Sequence, residues 1–446
     1  MPIDPVRDAA VDVLLRVFTR GIHLDISLDK TLRRRPVADR GRRFMTQLVY
    51  GTVRHRLLCD HVLAGLCHQP LDELPPAVHA ILRMAVFQSL FCSQVTRPAM
   101  VHTSVELARH RSHAGLARMV NAILRKAPAT LEEVSFPDPA TSLVEHLRVR
   151  YSLPRWIVRD IIERFGPEKA ADICALTGRE APVCLRVNTR RGSVESVAAR
   201  LAKAGFATVK ATPLPEELTV VDGHGHGLTA SRLFQDGCFL LQDPASQMPA
   251  LLLDAVPGER VLDLCAAPGG KATHIAQRAP EGLFLVAADN QPRRMGQIQE
   301  NFERLGLEAA GIVCADGTHP PFREGSFDRL LLDAPCSGLG TLRRHPDIKW
   351  HATPESVLRL AETQRALLRG ALRLCKNGGV VVYSVCTFTR QETTEVVESL
   401  LSEGACAPED GPETLSPWKT ARGQYQTDPS DPALDAFFLT RLRKLS

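Results

Sequence analysis

Several absences narrow the possibilities before any motif is read. No apolar run approaches the roughly 18 residues that a membrane-spanning helix requires, so neither a span nor a membrane partner is expected. Met1–Arg20 is interrupted by acids and arginines where a secretory signal needs an uncharged apolar stretch, and a cytoplasmic chain is expected. The 12 cysteines have neither the spacing of a disulfide framework nor that of a zinc site. Most read as small buried apolar residues, and no metal is expected. Two nucleotide signatures are missing as well. Without G-x-G-x-x-G the dinucleotide reading is weak, and without G-x-x-x-x-G-K-[ST] a P-loop is excluded.

With 446 residues and 44% hydrophobic content, the chain has room for two or three domains with ordinary cores. Charge is uneven. Residues 1–126 carry 19 Lys and Arg against 10 Asp and Glu, a net of +9, while the whole chain carries +5, so the remainder sits at −4. Thr31–Arg56 holds Arg33, Arg34, Arg35, Arg40, Arg42, Arg43, Arg54 and Arg56 with a single acid, Asp39. Arginine forks pair with phosphates and release counterions, which suits a polyphosphate surface. A solvated helix face is the plainer alternative.

From Val6 to Lys126 apolar residues recur at helical spacing, as in Val6, Ala9, Val13 and Val17, or Leu116, Met119, Val120, Ile123 and Leu124. An all-helical bundle is expected there. The proline-bearing stretch KAPATLEEVSFPDPATS breaks the period and reads as a linker. A smaller mixed segment follows, with helices in WIVRDIIERFG and SVESVAARLAKAGF and strands in VCLRVNT, ELTVV and CFLLQD. The two histidines of DGHGHGLTA lack further ligands nearby and read as part of a glycine-rich turn. From about Gln242, strands alternate with helices: RVLDLC, LFLVAAD, GIVCAD, FDRLLLDAP and GGVVVYSVC, with Gln291–Leu305 presenting Met295, Ile298, Phe302 and Leu305 on one face. Such alternation predicts an α/β fold, a parallel sheet wrapped by helices, with its ligand crevice at the carboxyl ends of the strands.

The first of these strands runs into DLCAAPGGK. After Asp263, the small residues Ala266, Ala267, Pro268, Gly269 and Gly270 let the backbone approach a ligand, and a helix N-terminus offers amides to an anion. Lys271, a cation in the first helical turn, opposes the helix dipole and calls for a carboxylate partner. Asp289 lies nineteen residues beyond Gly270, the separation at which an acid takes ribose hydroxyls. Asp316 and Asp333 end the next two strands. Each alone is commonly a helix cap, but together they favour a ribosylated cofactor. S-adenosylmethionine fits better than a dinucleotide: its carboxylate meets the loop amides and Lys271, its ribose Asp289, and its adenine amino group Asp316.

Cys336 and Cys386 follow two strands of the same sheet, so both thiols are expected at that crevice. An electrophilic methyl beside two cysteines suggests methylation of a pyrimidine. C5 of cytosine is too electron-poor to attack a sulfonium methyl unaided. A thiolate adding to C6 makes C5 enamine-like; after transfer the C5 proton leaves and the thiol is eliminated. Asp333 suits the N3/N4 edge of the base. Which thiol attacks stays open on this reading.

DLCAAPGGK, DAPCSGLGTLRRHPDIKW and VVYSVCTFTRQE resemble the signature segments of the RNA cytosine-C5 methyltransferases. FMTQLVYGTVRHR and VNAILRK resemble the NusB-like extension carried by the bacterial members of that family that modify 16S ribosomal RNA. The resemblance covers nearly the whole chain. It implies an all-α NusB-like RNA-binding domain over residues 1–130, a small α+β RRM-like linker domain over 140–240, and a class I, Rossmann-like methyltransferase domain over 241–446. The implied substrate is a cytosine of 16S ribosomal RNA, with no obligate protein partner and a monomeric chain. Cofactor contacts fall on Cys265 to Lys271, Asp289, Asp316 and Asp333, the nucleophile on Cys386, and the cysteine that helps to release product on Cys336. The family's T-C-S and E-E-N read Val385-Cys386-Thr387 and Gln391-Glu392-Thr393 here, and Ala436 stands where glycine is usual. A tRNA substrate is the near alternative; an RNA-binding ribosome-assembly factor without turnover, or a nicotinamide oxidoreductase, are more distant ones.

Overall fold

The computed structural model describes residues 3–221, 225, 227–279 and 282–445; His224 and His226 of the expected glycine-rich turn lie outside them. The chain divides into two units, Met1–Glu180 with Leu342–His351, and Ala181–Thr341 with Ala352–Ser446.

The first unit is helical, from Pro5–Arg20 to Pro167–Thr177. Its opening helix forms for local reasons. Asp4 accepts the Val6 and Arg7 amides at 3.0 Å, Pro5 occupies the first turn, and Gly21 closes the helix at φ 60°. Ala10, Val13, Leu14 and Val17 from its buried face join Leu48 and Val53 and, from Pro76–Phe91, Ile81 and Ala85 in one core. The helix expected in WIVRDIIERFG, Arg155–Phe165, belongs to this unit, as do Leu143–Arg150 and Pro167–Thr177.

Leu342–His351 also lies here. Lys349 is buried and donates to the Arg54 carbonyl at 2.7 Å, while Trp350 Nε1 donates to the Val53 carbonyl at 2.9 Å. Both carbonyls lie in the last turn of the Asp39–Arg54 helix, where backbone acceptors outnumber intrahelical donors. Asp347 takes the Leu24 amide at 3.2 Å and lies 3.1 Å from His23 Nδ1. The segment DAPCSGLGTLRRHPDIKW is therefore shared: the part beyond Thr341 is built into the helical body.

The arginine-rich stretch does not present one face, which corrects the expectation for two of its members. Arg54 is buried and donates to the Arg343 carbonyl at 2.8 Å, and Arg56 lies half-buried over the rings of Phe18 and Trp350. Both are spent inside the fold. Arg35 pairs with Asp8 and Asp12, and Arg33 with Asp29. Arg34, Arg40, Arg42 and Arg43 are exposed.

The second unit holds two sheets. The smaller is antiparallel in the order β2 (Thr208–Val209), β3 (Glu217–Val220), β1 (Val183–Val187), β4 (Phe239–Leu241). It packs on Val197 and Leu201 of the Val194–Lys203 helix. The larger sheet runs β10 (Cys406–Pro408), β12 (Phe438–Lys444), β9 (Cys375–Val385), β8 (Phe327–Asp333), β5 (Arg260–Asp263), β6 (Phe284–Asp289), β7 (Gly311–Cys314), with β11 (Tyr425–Gln426) beside β12. From β9 to β7 every pairing is parallel; β12 is antiparallel to β9. Strand alternation separates two apolar layers. Leu262, Val381 and Tyr383 face the Pro354–Leu374 and Thr394–Leu401 helices, while Val261, Val380 and Val382 face Met248–Leu253, Gly270–Arg278 and Pro292–Leu305. The chain leaves β5 toward β6 on one side and returns as β8 on the other, so a crevice opens where their carboxyl ends diverge.

Candidate active site

The loop after β5 is fixed by its neighbours. The Leu264 amide donates to the Leu331 carbonyl at 2.9 Å and the Ala266 amide to the Ala288 carbonyl at 2.8 Å. Asp289, at the end of β6, accepts the Ala267 amide at 3.0 Å, and Arg294 Nη2 donates to the Ala267 carbonyl at 2.8 Å. Gly269 has φ +98°, and a Cβ there would stand 3.2 Å from the Ile298 backbone, so only glycine brings the loop this close to its neighbouring helix. From β1, the buried Arg186 donates to the Gly270 carbonyl, to Thr273 Oγ1 at 2.9 Å and to Gln242 Oε1 at 2.6 Å. The small sheet thus braces the first turn of the Gly270–Arg278 helix.

Lys271 finds the carboxylate that its position demanded. Its Nζ lies 2.6 Å from Asp333 Oδ2, while Ser384 Oγ donates to Asp333 Oδ1 at 2.6 Å. Burial acts to lower the Lys271 pKa, but the charge and hydrogen bond of Asp333 outweigh it and the net shift is upward; a Cys386 thiolate adds to the same effect. Beside this pair Asp263 is fully buried, and apart from a weak approach of the Cys265 amide neither of its oxygens has a hydrogen-bonding partner among the described residues. Burial, reinforced by Asp333 and opposed by Lys271, pushes its carboxyl up to about 8. An orphaned buried acid at a strand end is costly unless a ligand completes it.

Cys336 follows β8 and Cys386 follows β9, and their Sγ atoms lie 3.3 Å apart as free thiols. Backbone bonds hold the two loops together: the Gly340 amide donates to the Cys386 carbonyl at 2.9 Å, and the Ala436 amide to the Gly340 carbonyl at 3.1 Å. A Cβ at Gly340 would fall 1.9 Å from the Ala436 carbonyl oxygen. The Cys336 thiol is pushed well up by its hydrogen bond with Cys386, then by burial, the Cys386 charge and Glu392.

Of the sequence candidates, the loop from Cys265 to Lys271, Asp289, Asp333, Cys336 and Cys386 gather at the ends of β5, β6, β8 and β9. Asp316 differs. It stands exposed after β7, where it accepts the Thr318 amide at 2.9 Å and hydroxyl at 2.7 Å, an Asx turn, while the adjacent Ala315 amide donates to the Asp289 carbonyl at 2.9 Å. Two residues escaped sequence reasoning. Asp263 was visible only as the start of the loop. Glu392 is fully buried and accepts the Ser337 amide at 2.7 Å, Ser337 Oγ at 2.5 Å, Gln364 Nε2 at 3.1 Å, Thr387 Oγ1 at 3.3 Å and Thr389 Oγ1 at 2.9 Å.

The donor set fits a zwitterionic nucleoside. The unpartnered Asp263 carboxyl suits an ammonium, the first-turn amides of Gly270–Arg278 suit a carboxylate, and Asp289, with one lone pair of each oxygen still open, suits ribose hydroxyls. A doubly wound sheet with this pocket defines a class I S-adenosylmethionine-dependent methyltransferase. Residues 250–443 match the family model "16S rRNA methyltransferase RsmB/F", residues 4–128 the NusB family and residues 153–223 the ferredoxin-like domain of RsmF/B-like methyltransferases. Ribosomal RNA small subunit methyltransferase B of Vibrio cholerae is 31% identical, over 98% of this chain and 97% of that protein. The chain belongs to the RsmB/F family of rRNA methyltransferases. The solved structure of PH0851 has a TM-score of 0.82 and 25% identity, covering 99% of this chain and 100% of that one. A structure of NSun6 from Pyrococcus horikoshii with SFG shares the fold over 66% of this chain and 98% of its own, at TM-score 0.59 and 22% identity.

Proposed function

We propose that the protein methylates C5 of a cytosine in 16S ribosomal RNA, with Cys386 as the nucleophile and Cys336 assisting release. The observation that carries this reading is the pair of free thiols 3.3 Å apart at adjacent strand ends, beside the Lys271–Asp333 pair. When bound, S-adenosylmethionine supplies an electrophilic methyl. Asp263, the Gly270–Arg278 amides, Asp289 and Asp316 hold it, with the small-residue loop Cys265, Ala266, Ala267, Pro268, Gly269 and Gly270 beneath.

Cys386 Sγ bonds to C6 of the cytosine, and the pair of electrons displaced from the C5–C6 double bond makes C5 nucleophilic. Once C5 carries the methyl group, water takes its proton, the C5–H electron pair restores the C5–C6 double bond, and the C6–S bond breaks with its pair returning to Cys386 as the thiolate. Cys336, in contact with Cys386 Sγ, is placed to donate its S–H hydrogen bond to that leaving sulfur. Lys271, held by Asp333, keeps a cation near the reacting thiolate, and Asp333 is within reach of the base edge that pairs in a duplex. A base out of its stack is required for this approach, which costs a few kcal/mol and less in a loop.

Unmethylated 16S rRNA incubated with the protein and S-adenosylmethionine should gain 5-methylcytidine at a single position on sequencing. Cys386→Ala should abolish it, and Cys336→Ala should accumulate a covalent protein–RNA adduct on ordinary RNA. Methylation at C5 by Cys386→Ala would reverse the assigned roles, and modification of tRNA alone would replace the substrate.

A further inference from the structure

Glu392 is chemically odd for its place. A carboxylate removed from water is tolerated only when donors surround it, and here five do so. They come from three elements: Ser337 from the loop that carries Cys336, Thr387 and Thr389 from the loop that carries Cys386, and Gln364 from the Pro354–Leu374 helix. Ser337 Oγ and Thr387 Oγ1 also lie 2.9 Å apart. Each cysteine is thus one residue from a group bonded to the same carboxylate. Tyr383, from β9, completes the arrangement: its hydroxyl donates to the Glu392 carbonyl at 2.7 Å and lies 3.1 Å from Gln364 Oε1.

We propose that Glu392 is the positioning residue of the thiol pair: it ties the loop after β8 to the loop after β9 and keeps the shared proton on Cys336, leaving Cys386 free to attack. The charge distribution around the sulfurs agrees. Glu392 from the loop after β9 and Tyr383 from β9 interact with Cys336, and Lys271 from the Gly270–Arg278 helix with Cys386; Asp333 from the end of β8 and Asp263 from the end of β5 act at Lys271, and Asp333 and Arg365 at Tyr383. The cation is matched by Asp333, and after Cys386 itself Glu392 is the next anion acting on Cys336. Its charge disfavours a second negative charge there. With Cys336 as the S–H donor and Cys386 as the acceptor, the two sulfurs are no longer equivalent, an asymmetry that their strand positions alone do not provide.

The proposal deepens the C5 reading and rests on it for its consequence, but its test needs no RNA. The purified full-length protein is alkylated with iodoacetamide across pH, and each cysteine is followed by peptide mass spectrometry. In the wild type Cys386 should react first and Cys336 only at higher pH. Glu392→Gln keeps shape but removes charge, and should lower the pH midpoint of Cys336 by about one unit, with a roughly tenfold faster reaction on the rising limb. A merely structural role would instead speed both thiols without moving that midpoint, and this result, or unchanged kinetics, would overturn the proposal. Glu392→Asp keeps the anion on a shorter arm and should keep Cys336 the slower thiol; equal reactivity in that variant overturns it as well, should Glu392→Gln fail to fold. The expected labelling in a protein that methylates no RNA would sink the C5 reading and leave the role of Glu392 standing.

Discussion

At the scale of single residues, the site consists of groups whose neighbours change their chemistry. Lys271 and both cysteines were legible from the sequence, because a cation in a first helical turn and thiols at strand ends are unusual residue types for their places. Asp263 and Glu392 were not, since an acid becomes conspicuous only when tertiary packing removes water from it. Asp263 makes a definite prediction. Its carboxyl, raised to about 8, holds a proton at neutral pH in the empty site and must lose it to pair with an ammonium. Affinity for S-adenosylhomocysteine should therefore weaken by up to about tenfold per unit as pH falls below 8. Calorimetry across pH 6 to 9 reads this directly. Asp263→Asn should bind more weakly and lose that pH dependence; an equally steep curve in the variant would assign the proton elsewhere.

At the scale of elements, alternating strands and helices were readable because periods of 2 and 3.6 differ plainly. The direction of β12 was not, for an antiparallel strand buried on both faces carries the same apolar pattern as a parallel one. Nor was the contact at Gly340, where backbone meets backbone. Gly340→Ala should cost about 2–3 kcal/mol in chemical denaturation and slow turnover at least about tenfold by parting the two cysteine loops; wild-type stability would mean that the loops yield. The arginine stretch divides in the same way. Replacing Arg34, Arg40, Arg42 and Arg43 with alanine should flatten the salt dependence of RNA affinity by about 0.7–0.9 per lost phosphate contact, whereas Arg35→Ala, which breaks the pairs with Asp8 and Asp12, should act on stability. An unchanged slope would remove those four residues from the RNA surface.

At the scale of the whole molecule, the order of helical, mixed and α/β regions was apparent in composition and periodicity, but the path of Leu342–His351 was not. A motif contiguous in sequence gives no sign that the chain leaves one unit for another at Leu342 and returns at Ala352. Trp350→Ala removes the indole N–H that donates to the Val53 carbonyl, and should raise amide exchange in the last turn of the Asp39–Arg54 helix; unchanged protection there would show that the helix end is held without it. Acid should unfold the second unit early. His274 is fully buried and depressed to about 4, first by burial and then by Arg186. The unfolded chain binds its proton from about pH 6.5 downward, so up to about 3 kcal/mol is lost between pH 6.5 and 4, and His274→Leu should flatten that fall in melting temperature. The central claim, a bond between Cys386 and the base, is tested most directly with RNA containing 5-fluorocytidine, which cannot lose a proton from C5. Incubated with S-adenosylmethionine, digested and analysed by mass spectrometry, the full-length protein should carry the methylated nucleotide on the peptide containing Cys386. An adduct on Cys336, or methyl transfer with no adduct on either cysteine, would contradict the account.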